Sequence, residues 1–209
     1  MTLSEEIGAC QECRSLLSYG RLETDDKPYL VFTVDKDWKP PNGIVNVLFI
    51  AESPPWDRIA KQPYFYNVSD ERNAGLRKEV LKHLNFGHLE EFRDKGYFLI
   101  DAIKCRLNKK DRSNIPLAVL ETCSTKFLGR EISVLRPKVI FVLVNSAKMA
   151  LQGLHGISEF SDFKELINHN VTDEFDKMLC GYRVILCVYP GGQTRKYKLR
   201  IRRSFSKIA

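Results

Sequence analysis

Four short apolar runs, each closed by a loop or a turn, constrain this chain more than any other feature. They cover residues 46–51, 97–103, 138–144 and 183–188, which is strand length rather than helix length. Helical spacing fills the gaps. Over 72–85, Leu76, Val80, Leu81 and Leu84 recur on one face. Pro116 opens a helix that runs to about Leu135 through Val119, Leu120, Phe127, Leu128 and Ile132. Ser146 is placed to cap a short helix from Ala147 to Leu151. Strands alternating with helices predict an α/β fold around a mainly parallel four-stranded sheet. Tyr29 to Val34 is expected to add an edge hairpin. With no internal repeat, low-complexity tract or linker, residues 1–209 read as a single domain.

Apolar residues make up 44% of the chain and charged residues 28%, which excludes a mostly disordered or collagen-like chain. No apolar stretch approaches the ~18 residues of a membrane span. The first residues hold Glu5, Glu6 and Glu12 without an apolar segment, unlike a signal peptide. The net charge of +7 is unevenly placed: from Lys177 to Ala209 there are nine Lys and Arg and no carboxylate. That stretch suits either a polyanionic partner or a solvated tail. Within it, Tyr197, Leu199 and Ile201 alternate as in a strand, while Tyr197, Ile201, Phe205 and Ile208 share a helical face. We favour the helix.

Ligands of parallel α/β sheets bind beyond the carboxyl ends of the strands. The loops there begin at Glu52, Cys105, Asn145 and Tyr189. The first, Glu52 to Ser69, is long for a compact domain, and long loops are commonly functional. Six cysteines occur. Cys180 and Cys187 flank an apolar run and read as core residues. Cys10 and Cys13 form a Cys-x-x-Cys pair, and Cys105 and Cys123 follow at wider spacing. Spacing alone leaves iron–sulfur, zinc and no metal open.

Several motifs occur in a common order from end to end: Cys10-Gln-Glu-Cys13, Val47-Leu-Phe-Ile-Ala-Glu-Ser-Pro54, Gln62-Pro-Tyr-Phe65, Asp101-Ala-Ile-Lys-Cys-Arg106, Glu121-Thr-Cys123, Leu135-Arg-Pro-Lys-Val-Ile140 and Tyr189-Pro-Gly191. In these the chain resembles the iron–sulfur branch of the uracil-DNA glycosylase superfamily, the family 4 and family 5 enzymes. The resemblance implies a three-layer sandwich and a monomer that works on DNA; the lack of a signal-like or membrane-length apolar segment places it in the cytoplasm, on the chromosome, with no membrane association. The resemblance also implies a [4Fe–4S] cluster on Cys10, Cys13, Cys105 and Cys123, favoured over zinc.

Such an enzyme flips a base out of DNA and hydrolyses its N-glycosidic bond. By the same resemblance, Glu52 sits near the attacking water, and Tyr64 or Phe65 stacks the base. Asp101 stands where the family has Asn, and Tyr189 where it has His. An ionised Asp accepts only, so Asp101 selects a base with an exocyclic amine, restores a donor by being protonated, or merely caps a loop. Tyr189 is either a neutral donor in place of the His or simply the end of a strand. Lys104, Arg106, Pro190, Gly191, Arg195 and Lys196 are expected on the DNA side. The leading expectation is excision of uracil or a related base. The alternative is a non-catalytic nucleic-acid-binding protein that keeps the fold and cluster, and an iron–sulfur electron carrier is disfavoured because it explains neither the Glu52 loop nor the basic C-terminus.

Overall fold

The apolar runs pair in the order β2-β1-β3-β5-β4. Here β1 is Val47–Ala51, β2 Tyr97–Asp101, β3 Val139–Val142, β4 Asp176–Leu179 and β5 Tyr182–Leu186. This computed structural model describes residues 1–12, 40–54, 65–66, 75–105, 115–191 and 194–209. The expected Tyr29–Val34 hairpin lies outside the described residues. Strands β1, β2, β3 and β5 are parallel, with Phe49 in register with Leu99 and Phe141, and Phe141 with Ile185. All five residues of β1 are buried, as expected of a central parallel strand covered on both faces.

Among the described residues the sheet has five strands, one more than the four expected. The fifth, β4, runs antiparallel to β5. Its Asp-Lys-Met-Leu sequence exposes the middle two residues, so it carries no apolar run for a sequence reading to find.

One helical layer holds α2 (Gly75–Leu84), α3 (Leu89–Asp94) and α7 (Lys198–Ser206). Phe205 of α7 packs with ring centroids 6.1 Å from Phe49 and 5.0 Å from Phe141. Phe92 of α3 joins them, 5.4 Å from Phe49. The basic C-terminal segment is therefore helical, and Ile201 and Phe205 are its buried face. The Tyr97 hydroxyl donates to the Ile208 carbonyl and ties the end of α7 to β2.

The other layer holds α4 (Leu117–Cys123), α5 (Gly129–Leu135) and α6 (Asn145–Gln152). A π-helical turn, Ser124–Leu128, joins α4 to α5, so the single helix expected from Pro116 to Leu135 carries a wide turn immediately after Cys123. Such turns occur often at functional sites. Two 3₁₀ segments, Gly153–Gly156 and Ser158–Asn168, follow α6.

Helix α1 (Leu3–Ala9) starts with a Thr2–Glu5 capping box. It docks on the α4–α5 helix: Ile7 is buried, Arg130 donates to both Glu6 oxygens at 2.6 and 2.9 Å, and Lys126 donates to Glu12 at 2.7 Å. Exposed ion pairs contribute little, whereas burying an Ile side chain contributes about 1.5–3 kcal/mol. Ile7 anchors the segment and the ion pairs set its direction.

Tyr66 does a different job at the outer edge of β2. Its hydroxyl accepts from the Leu99 N–H at 2.5 Å and donates to the Leu99 carbonyl at 3.1 Å. Among the described residues no helix is long and apolar enough to cross a membrane.

Candidate active site

Parallel pairing brings the carboxyl ends of β1, β2, β3 and β5 to one edge of the sheet. Backbone bonds extend the ladder past the strands and fix where the loops leave it. Ile103 N–H donates to the Glu52 carbonyl (2.9 Å) and Cys187 N–H to the Val142 carbonyl (2.8 Å). Glu52, Asp101, Ser146 and Tyr189 therefore leave the sheet on the same side.

Glu52 is half-buried, and Ser146 Oγ donates to its Oε2 at 2.5 Å. Ser146 does not cap α6, which starts at Asn145 without a side-chain cap. Its hydroxyl instead holds the carboxylate at the first turn of α6, where the helix dipole favours negative charge.

Asp101 is partly exposed, and its carboxyl takes part in no hydrogen bond with a described residue. The nearby cation is already engaged. Lys104 Nζ lies 2.5 Å from Glu131 Oε2, both side chains at most 4% exposed, and it donates to the Asp101 main-chain carbonyl. Removal from water pushes the Asp101 carboxyl up to about 7; Lys104 opposes the shift and Glu131 adds to it. The Glu131 carboxyl is raised too, by burial first and against Lys104. Two carboxyls share one ammonium, and Glu131 is the one in contact with it.

Lys104 is thus a buried structural cation, not the surface contact to DNA expected of it. Phe65 is corrected likewise. It is 7% exposed, with its ring 5.0 Å from Tyr66 and 5.2 Å from Phe92, so it is spent on core packing rather than on stacking a base. Tyr64, Arg106 and Cys13 lie outside the described residues, as does the side chain of Arg195.

Tyr189 is 39% exposed, and partial burial raises its hydroxyl above the usual range, so it is a neutral donor at physiological pH. Its ring lies over Gly191: a Cβ there would sit 2.7 Å from Tyr189 Cε1. Pro190 and Gly191 are buried. Burial removes both from the surface that would meet a DNA backbone, and the Tyr189 ring covers Gly191. Lys196 is exposed, with its ammonium 5.5 Å from the Tyr197 ring centroid.

Cys105 and Cys123 are buried, and Cys10 is partly buried against the same core. Cys10 lies between Glu6 and Glu12, the two residues that fasten the N-terminus to the helix of Cys123. Among the described residues no three His, Cys, Asp or Glu side chains form a metal site; Cys13, the fourth of the quartet, is outside them. The Cys187 thiol is pushed up to about 12 by burial and is an inert core group, as its apolar setting in the sequence indicated.

A family model described as the uracil DNA glycosylase superfamily matches residues 42–207. The chain belongs to the uracil DNA glycosylase superfamily. No curated protein matches it significantly. Superfamily membership points to a DNA glycosylase-like function, and proteins of this family act on DNA. The matched span holds Glu52, Asp101, Tyr189, Cys105 and Cys123, and begins after the Cys10–Cys13 pair.

Three residues of the site escaped the sequence reading. Ser146 was legible, since it follows the carboxyl end of a strand, but was taken for a cap. Tyr66 and Glu131 carry no local signal, because their partners are distant in the chain.

Proposed function

We propose that this protein is a DNA N-glycosylase that excises uracil or a closely related base, with Asp101 reading the base as a neutral acid. The supporting observation is the uncompensated Asp101 carboxyl beside a Lys104 already paired with Glu131. A protonated carboxyl offers one donor and one acceptor, as the amide of Asn does. It can donate to a base carbonyl and accept from the neighbouring ring N–H. Glu52, held by Ser146, orients a water toward the sugar carbon and offsets the positive charge that develops there. Tyr189 donates to the departing anionic base, and Tyr64 is the remaining candidate for stacking it.

The test is excision from single- and double-stranded oligonucleotides carrying uracil, hypoxanthine, xanthine, or mismatched cytosine or thymine, with alkali cleavage of abasic sites as the readout. Loss of uracil or a related lactam base is expected. Tight DNA binding with no excision of any base would make the chain a binding protein on a glycosylase fold.

The Asp101 assignment carries its own pH dependence. The groups around this carboxyl are Lys104, Glu131 and the Tyr66 hydroxyl. Its folded value, about 7, lies above the ordinary 3.8, so the folded state keeps a proton that the unfolded chain releases. Between those values this group makes stability fall as pH rises. Excision is expected to fall as pH climbs through about 7, and Asp101→Asn should remove that limb while remaining active. An Asp101→Asn profile that keeps the limb would assign it to another group.

We further propose that Cys10, Cys13, Cys105 and Cys123 hold a [4Fe–4S] cluster. The donor set suits it, the N-terminus is fastened to the helix of Cys123, and a π-turn follows that cysteine. The cluster would supply structural fixation rather than bond cleavage, holding the N-terminal segment and the loop after Cys105 together. Cys10→Ala is then expected to lower iron content and thermal stability together. Unchanged iron per chain would remove Cys10 from the ligand set.

A further inference from the structure

Along one side of α7, against Glu174 and Phe175 at the entry to the edge strand β4, lies a cavity of about 240 Å³. Its lining holds four cations, Lys196, Arg200, Arg203 and Lys207, against one carboxylate, Glu174. Lys207 is engaged by Asp176 at 3.1 Å and Glu174 at 3.9 Å. Among the described residues, Lys196, Arg200 and Arg203 have no carboxylate within ion-pair distance. Arg200 Nε is buried and meets no acceptor. A buried charged donor without an acceptor is costly, and an anion would satisfy it.

The position of the cavity indicates which anion. Its Phe175 wall accepts from the Leu186 N–H (3.2 Å) at the carboxyl end of β5. Phe175 lies on the line of β4, three places from β1, and strands lie about 4.8 Å apart, so roughly 14 Å separates it from the end of β1. One DNA strand carries a phosphate about every 3.4 Å of helix axis. A strand with one nucleotide at Glu52 thus reaches the cavity within about four nucleotides. A free phosphate would need no such alignment with the active-site edge.

We propose that this cavity is a phosphate site, in which Arg200 and Arg203 hold the backbone of the bound DNA a few nucleotides from the flipped base. The inference rests on the DNA-glycosylase reading for its polyanion but not for any chemistry. Guanidinium groups fit phosphate geometry, and Arg200 and Arg203 both line this cavity.

The experiment is the salt dependence of binding of the full chain to lesion-free labelled oligonucleotides, by fluorescence anisotropy. Arg200→Ala/Arg203→Ala is compared with Lys198→Ala/Arg202→Ala, which removes equal charge from the same helix outside the cavity. The cavity pair is expected to weaken binding about tenfold and to flatten the slope of log K against log salt by about one. The control pair should leave the slope unchanged. Equal effects of the two pairs would overturn the proposal in favour of diffuse charge. Arg203→Glu, at an exposed position, gives the same reading should the double variant fold poorly.

Inorganic phosphate alone separates the other source. If it raises the melting temperature of the wild type but not of the cavity variant, while DNA binding is equal in both, the site takes free phosphate and the proposal falls. Because the probe carries no lesion, a chain that binds DNA through Arg200 and Arg203 yet excises no base would lose the enzyme assignment and keep this one.

Discussion

Lys104→Met is expected to destabilise the fold by about 3–5 kcal/mol, because it strands a buried carboxylate. The Lys104–Glu131 pair joins the loop after β2 to α5 at 2.5 Å with almost no exposure. Its net contribution relative to an apolar pair is small, since both charges are removed from water. The cost arises when one partner is lost and the other remains. Lys104→Met/Glu131→Leu should therefore recover most of the loss. Urea unfolding of the two variants measures this directly. A single variant within about 1 kcal/mol of the wild type would show that Glu131 takes up a proton at little cost. The double variant also removes the neighbours that set the Asp101 carboxyl, so its excision profile should shift along the pH axis while its stability returns.

Glu52→Ala is expected to lower the rate of excision by about 10²–10⁴-fold, the usual loss for a positioned general base. The fold should tolerate it, because the Glu52 side chain lies beyond the end of β1 and its carbonyl still accepts from Ile103. Ser146→Ala leaves the carboxylate in place but frees its orientation, and a smaller loss is expected. Single-turnover rates on a uracil-containing oligonucleotide distinguish the two. Full activity in Glu52→Ala would mean that the water is held by another group, and the assignment of this edge would have to be redrawn around Asp101 and Tyr189.

The parallel strands were readable because burial on both faces forces each into an unbroken apolar run, as in Val47–Ala51. The loops beyond their ends followed from chain direction alone, which placed Glu52, Asp101 and Tyr189 at one edge. Strand β4 was invisible because an edge strand with one covered face needs no such run. Fates that depend on a distant partner were misread. Lys104 looks like a surface cation until Glu131 is seen opposite it, and Phe65 looks like a stacking platform until Phe92 closes over it. Pro190 and Gly191, expected on the DNA side, are buried, and the neighbouring Tyr189 ring covers Gly191.

The Tyr66 hydroxyl has a bearing on how molecules of this protein meet one another. Among the described residues strand β2 ends the sheet on one side, and the outer edge of such a strand is a template on which a second chain can extend the ladder. With both polar groups of Leu99 taken by one phenol, an incoming strand finds no donor or acceptor at the middle of β2. The opposite border is guarded differently, by the charged Asp176 and Lys177 of β4. Among the described residues the two borders of the sheet thus resist strand addition by different means, one through an occupied ladder position and the other through charge.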